Sequence, residues 1–243
     1  MNIFIGTAGW SIPRESAAHF PGEGSHLERY ARQLKAVEID TSFYRPHLPA
    51  TYARWAAAAP PGFRFTVKTP MEVTHMARLT DAARLDRFAD ESGALGERLG
   101  AWLLQLPPGL AFNPVTVERF LDRMRSRFTG DVVCEPRHPS WFTPASDRLL
   151  ADFRVARAAA DPAISPEGTR PGGWDGLVYY RLHGSPEMYR SSYAAEFLKG
   201  LAGQLKAASG AASVWCIFNN TAAGAAVKNA LDLQDQIRPL SGV

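Results

Sequence analysis

At 243 residues, 46% of them hydrophobic and 21% charged, the chain carries enough apolar material for one large core, and its composition is that of an ordinary globular protein. The net charge of +3 is a small difference between 27 basic and 24 acidic side chains. It permits a nucleic-acid partner without arguing for one, and no basic run is long enough for a nucleic-acid arm. The opening MNIFIGTAGW lacks the basic and long apolar regions of a secretory signal, and nowhere do about 18 apolar residues run together. The expectation is a soluble cytoplasmic protein with no membrane partner.

From the N-terminus, short apolar runs alternate with stretches of helical composition. Strands are predicted at 3–6, 36–40, 63–68, 101–106, 132–137, 153–158, 177–183 and 213–219. Helices are predicted at 26–34, 50–59, 82–99, 115–127, 145–151, 193–208 and 223–237. After the sixth strand, residues 161–176 carry Pro162, Pro166 and Pro171 with four glycines, which is loop chemistry. Eight parallel strands in this length predict a lean TIM-type (β/α)8 barrel, of α/β class, with at least one helix, that after strand six, replaced by loop. An open doubly wound sheet is the alternative, but no strand is followed by a glycine-rich phosphate loop. No linker divides the chain, so residues 1–243 are expected to form one domain. Cys134 and Cys216 each sit inside an apolar run and read as small buried thiols.

A barrel strand alternates between the lumen and the helical layer, and active sites form at the C-terminal strand ends. In AVEID, Glu38 and Asp40 share a face opposite Val37 and Ile39. The same rule puts Lys68, Gln105, Glu135 with Arg137, Arg181 with His183, and Asn219 on the faces opposite the most apolar residues of their strands. His138, Tyr44 and His75 follow in the adjoining loops. Alternation points His138 away from the lumen, so it joins the site only if the backbone bends near Pro136. Pairs such as Glu135 with Arg181 or Glu38 with Arg137 also have a purely structural reading, as lumen charges that neutralise one another.

The segments GTAGW, VEIDTSFYRP, FRFTVKTPMEVTH, LLQLPPG, VCEPRHPSW, YYRLHG and IFNNTAAGAAVKNA, in that order, carry a resemblance. In them the chain resembles the YecE-like proteins, domain of unknown function 72, along nearly its whole length. That family is similar to a TIM barrel in fold, and the resemblance brings no settled reaction. It matches Glu38, Tyr44, Lys68, His75, Gln105, Glu135, Arg137, His138, Trp141, Arg181, His183, Gly184, Asn219 and Asn220 to the family's motifs. Asp40 stands where the family more often shows Asn, and Ala8 replaces a usual Ser. An extra acid at Asp40 is expected to raise the pKa of a neighbouring carboxylate.

Three functional readings follow. In the first, an enzyme binds a small anionic ligand, phosphorylated or carboxylated, through Arg137, Arg181 and Lys68, with Gln105, Tyr44, His75, Asn219 and Asp40 completing the pocket. Glu135 or Glu38 is the general base and His183 or His138 the general acid. No cofactor is predicted in this reading. The second makes the protein a hydrolase or isomerase dependent on a divalent metal held by Glu38, Glu135 and His183, although no HExxH or HxH pair supplies ligand spacing. The third is a non-catalytic module that binds a ligand or a nucleic-acid end.

Overall fold

The structure, a computed structural model, describes residues 3–210 and 212–238. Ten strands share one sheet: β1 Ile3–Ala8, β2 Ala36–Ile39, β3 Arg64–Lys68, β4 Leu99–Gln105, β5 Asp131–Glu135, β6 Val155–Arg157, β7 Ala159–Asp161, β8 Gly172–Gly173, β9 Leu177–Leu182 and β10 Ser213–Phe218. The pairing order is β7-β9-β10-β1-β2-β3-β4-β5-β6-β8. β6 and β7 are halves of one extended segment, parted at Ala158; β6 pairs parallel with β5 and β7 parallel with β9. That segment closes the ring. With β6 and β7 counted as one strand, and the short antiparallel β8 set aside, eight parallel strands go round. This is the TIM-type barrel that the spacing predicts.

Seven helices cover it among the described residues: α1 His26–Ala31, α2 Pro49–Ala58, α3 Ala82–Gly93, α4 Pro114–Arg127, α5 Pro144–Asp152, α6 Ala195–Ala208 and α7 Ala225–Ile237. Their starts follow local chemistry. Asp81 accepts from the Ala83 and Arg84 amides, Asn113 accepts from Thr116, and Thr143 forms a capping box with Ser146. Proline stands in the first turn of α2, α4 and α5, where no N–H is needed. No α-helix lies between β7 and β9; the turn Pro166–Thr169 and β8 fill the interval. Where the missing helix would sit, a groove of ≈ 670 Å³ opens between β7, β9 and α6. No helix among the described residues is long and apolar enough to cross a membrane.

Among the boundaries that depart from the sequence pattern, three have a backbone reason. The predicted helix at 82–99 stops at Gly93, because Gly96 takes φ 54° in the turn that feeds β4 at Leu99. The fifth strand ends at Glu135 rather than 137, since Pro136 has no N–H to continue the ladder. The sixth strand starts late, after Arg154 at φ 53°, and runs on to Asp161 before Pro162.

Alternation sorts the core into two layers. Val37, Val67, Trp102, Leu104, Cys134, Cys216 and Phe218 pack outward against the helices, whereas Ala36, Leu103, Val133, Ala156, Tyr179, Trp215 and Ile217 fill the lumen. Trp215 stacks on Phe4, ring centroids 4.7 Å apart, and on Tyr179 at 6.1 Å. The N-terminal part of the lumen is therefore apolar and closed. The next inward positions toward the strand C-termini are Glu38, Glu135 and Arg181, so the lumen becomes ionic within one layer.

Candidate functional site

Arg181, fully buried on β9, is the hub of that ionic layer. Its Nε and Nη2 donate to the two carboxylate oxygens of Glu38 at 3.0 and 2.5 Å. Its Nη1 donates to Glu135 Oε2 at 2.9 Å, and Nη2 also lies 3.4 Å from Asp40 Oδ1. Lys68 reaches the same Asp40 oxygen at 2.9 Å, with its Nζ lying 4.2 Å over the Phe43 ring. Glu135 Oε2 accepts from Gln105 Nε2 at 3.1 Å. Its Oε1 meets Arg137 Nη2 at 2.6 Å and His183 Nε2 at 2.8 Å. The other ring nitrogen of His183, Nδ1, faces the Asn219 amide nitrogen at 3.2 Å. One continuous network thus joins Glu38, Asp40, Lys68, Gln105, Glu135, Arg137, Arg181, His183 and Asn219.

Three residues singled out from the sequence lie apart from it. Tyr44 is 71% exposed on the rim, edge-on to Phe43 with centroids 5.0 Å apart. His75 sits in the π-helical turn Glu72–Met76, bonded through Nδ1 to Thr74 and packed against the same Phe43. Both approach the network only through that ring. His138 turns aside after Pro136, and its Nδ1 accepts from the Ser140 amide at 3.2 Å.

Of the two pairings suggested from the sequence, Glu135 with Arg181 is present and the other differs. Glu38 goes to Arg181 and not to Arg137, whose partner is Glu135. Arg181 spends its donors on carboxylates, so it acts as a strut between strands and is not free for a ligand. The same guanidinium stands between Glu38 and Glu135, two of the three ligands that the metal reading requires. Among the described residues, no group of three His, Cys, Asp or Glu side chains is placed to hold a metal ion.

Tyr179, Phe43 and Tyr189 belong to the site without having been singled out. The Tyr179 hydroxyl donates to Glu38 Oε2 at 3.3 Å, and its place two residues before Arg181 puts it on the lumen face. Tyr189 lies in the loop after β9 with φ 67°, a left-handed conformation rare for a bulky residue. Its ring stands at 89° to the His183 imidazole, centroids 5.9 Å apart. Gly184, at φ 94°, lets the chain turn there; a Cβ would come 2.9 Å from the Ser191 carbonyl oxygen.

The electrostatics follow from burial and from these partners. Burial pushes the Glu38 carboxyl up, against the pull of Arg181, and Asp40 adds to the rise. Burial by itself would raise Glu135 as well, but the charges of Arg181 and Arg137, with a hydrogen bond from His183, hold it well below the usual carboxylate range. Burial lowers His183 although Glu135 pulls the other way. His47 and His75 are lowered by burial too.

A pH dependence follows. An imidazole lowered in the folded state binds fewer protons there than in the unfolded chain. Its stabilisation is present above the ordinary value of about 6.5 and is lost as pH falls toward the folded value. Glu135 behaves alike at lower pH: its contribution is present above about 4.3 and is lost as pH falls through its folded value. Glu38 opposes both, since a raised carboxyl favours the folded state on acidification. Denaturant midpoints should therefore begin to fall below about pH 6.5, and His183→Gln should flatten that first limb. An equally steep limb in the variant would assign it to other groups.

The family described as "Protein of unknown function DUF72" has a model that matches residues 4–241. YecE of Escherichia coli strain K12 is 32% identical over 175 residues, covering 65% of this chain and 61% of that protein. The match thus spans about three fifths of that curated relative's own length. A DUF72 family protein from Enterococcus faecalis has the same fold, with TM-score 0.81 at 22% identity over 97% of this chain and 95% of that one. One from Thermotoga maritima gives TM-score 0.78 at 24% identity, over 97% and 98%. With a family model running nearly end to end and a shared barrel in two solved members, the chain belongs to the DUF72 family.

Proposed function

We propose that the protein is a general acid–base enzyme acting on a small anionic ligand, phosphorylated or carboxylated, at the C-terminal mouth of the barrel. The observation that carries this reading is the unspent charge on Arg137. Its Nη2 serves Glu135, while its buried Nε has no hydrogen-bond partner among the described residues. A buried charged donor without a partner is costly, and an anion at the mouth relieves that cost. Arg137 is also the most exposed of the three cations, at 13% against 6% for Lys68 and 0% for Arg181. The recess beside it is ≈ 10 Å³, so a ligand enters by displacing the guanidinium toward itself. Lys68, with one carboxylate oxygen as partner, supplies a second charge.

His183 then becomes the proton-transfer group. With Nε2–H donating to Glu135, the lone pair is on Nδ1, where the Asn219 amide approaches at 3.2 Å. A ligand atom that replaces this long contact delivers its proton to Nδ1, and Glu135 stabilises the resulting imidazolium. Arg137 Nη2, itself only a donor, lies 2.7 Å from the same Nε2, so drawing it away removes a competing donor and leaves Glu135 Oε1 to His183. Binding of the anion thereby makes the base stronger. These roles reverse those the sequence suggests, because a carboxylate held this low is a poor base. Isomerase, lyase and hydrolase chemistry share such a proton transfer.

Calorimetric titration with inorganic phosphate and n-propyl phosphate tests the anion site. Arg137→Ala should weaken both by about tenfold or more, the loss of one charge-assisted hydrogen bond. Absence of binding to the wild type, or equal binding by the variant, would remove the proposal.

A further inference from the structure

We infer that the ligand's body is a sugar ring, so that the substrate class is sugar phosphates; this rests on the anion site just proposed. The mouth holds more than spare cationic donors. Gln105 uses its Nε2 on Glu135, and its Oε1 has no hydrogen-bond partner among the described residues. Asn219 uses its amide nitrogen on His183 and leaves its Oδ1 in the same condition. Asp40 engages Oδ1 with Lys68 and Arg181, and its Oδ2 is open on a side chain that is 28% exposed. Three acceptors therefore border two cations. Phosphate or a simple carboxylate uses the cations and repels the acceptors. A hydroxyl group donates to one and accepts from the other, so a polyhydroxylated body is what this mixture suits.

Tyr189 supplies the remaining element of such a site. It is 43% exposed, and two backbone hydrogen bonds hold it in its left-handed conformation. Its N–H donates to the His183 carbonyl at 2.5 Å, and its own carbonyl accepts from Ala222 at 3.0 Å. A bulky residue in that region is strained and persists where the surroundings over-determine it. What the strain achieves here is an aromatic ring set at right angles beside the imidazole and partly exposed. A flat apolar surface next to hydroxyl-binding groups matches a sugar, which has C–H bonds on one face and hydroxyls at its edge. Tyr44, 71% exposed after β2, offers a second ring on the rim.

The test uses ribose 5-phosphate and glucose 6-phosphate against n-propyl phosphate, by calorimetry on the whole chain. At least one sugar phosphate should bind wild type about tenfold or more tighter than n-propyl phosphate, as one or two added hydrogen bonds require. Tyr189→Gly keeps the left-handed backbone while deleting the ring. It should cut that preference, read as the ratio of sugar-phosphate to n-propyl phosphate affinity, by about threefold to tenfold, whereas Tyr189→Phe should retain the preference. If n-propyl phosphate binds and no sugar phosphate binds tighter, the sugar inference is overturned while the anion site stands. If none of the phosphates binds, the anion site fails and the inference falls with it. A preference that survives in Tyr189→Gly overturns the role given to that ring.

Discussion

Arg181→Ala should lower the unfolding free energy by about 3–5 kcal/mol, measured by denaturant titration at neutral pH. The side chain is fully buried and is the common partner of Glu38 and Glu135, themselves 0% and 1% exposed. Its removal leaves Glu38 without its ion pair in the lumen. Arg137→Ala should cost far less, since its head is partly solvated and Glu135 keeps Arg181 and His183. Acid provides a check on the cause. Without Arg181 the Glu38 carboxyl rises further, and a raised group favours the folded state once protonated. The deficit of Arg181→Ala should therefore shrink as pH is lowered toward about 4. A deficit that stays constant would point to lost packing rather than to an unpaired charge.

Glu135→Gln is expected to be comparably severe, by about 3–5 kcal/mol, and to change the chemistry of His183. Four donors converge on this carboxylate, from Gln105, Arg137, Arg181 and His183. An amide presents one oxygen and one NH2 to them, so at least one donor faces another. The charge that holds His183 up is removed, and its pKa should move further below about 6.5. Proton NMR titration of the imidazole reads this shift directly. An upward movement would mean that Glu135 is not the group that holds the ring.

The site is legible in the sequence to the extent that a strand has a period of two. Alternation alone brings Glu38, Lys68, Gln105, Glu135, Arg181, His183 and Asn219 to the lumen. Alternation carries no information about partners, because Glu38 and Arg181 are 143 residues apart and meet only through barrel closure. The purely structural reading of the ion pairs thus applies to Arg181, while Arg137, beyond the strand end at Pro136, escapes it. Loop residues have no period to read: nothing in the local pattern marks Tyr189, whose position depends on hydrogen bonds to His183 and Ala222. The late start of the sixth strand is hidden for a similar reason, since the left-handed turn at Arg154 belongs to the backbone and not to residue type.

The central claim is that His183 is a neutral base with its lone pair toward the mouth. Long-range proton–nitrogen correlation spectra of the ring in uniformly labelled protein at pH 7 test it most directly. A proton on Nε2, none on Nδ1, and a titration midpoint below about 6.5 are expected. A proton on Nδ1, or an imidazolium carrying both at pH 7, would contradict it.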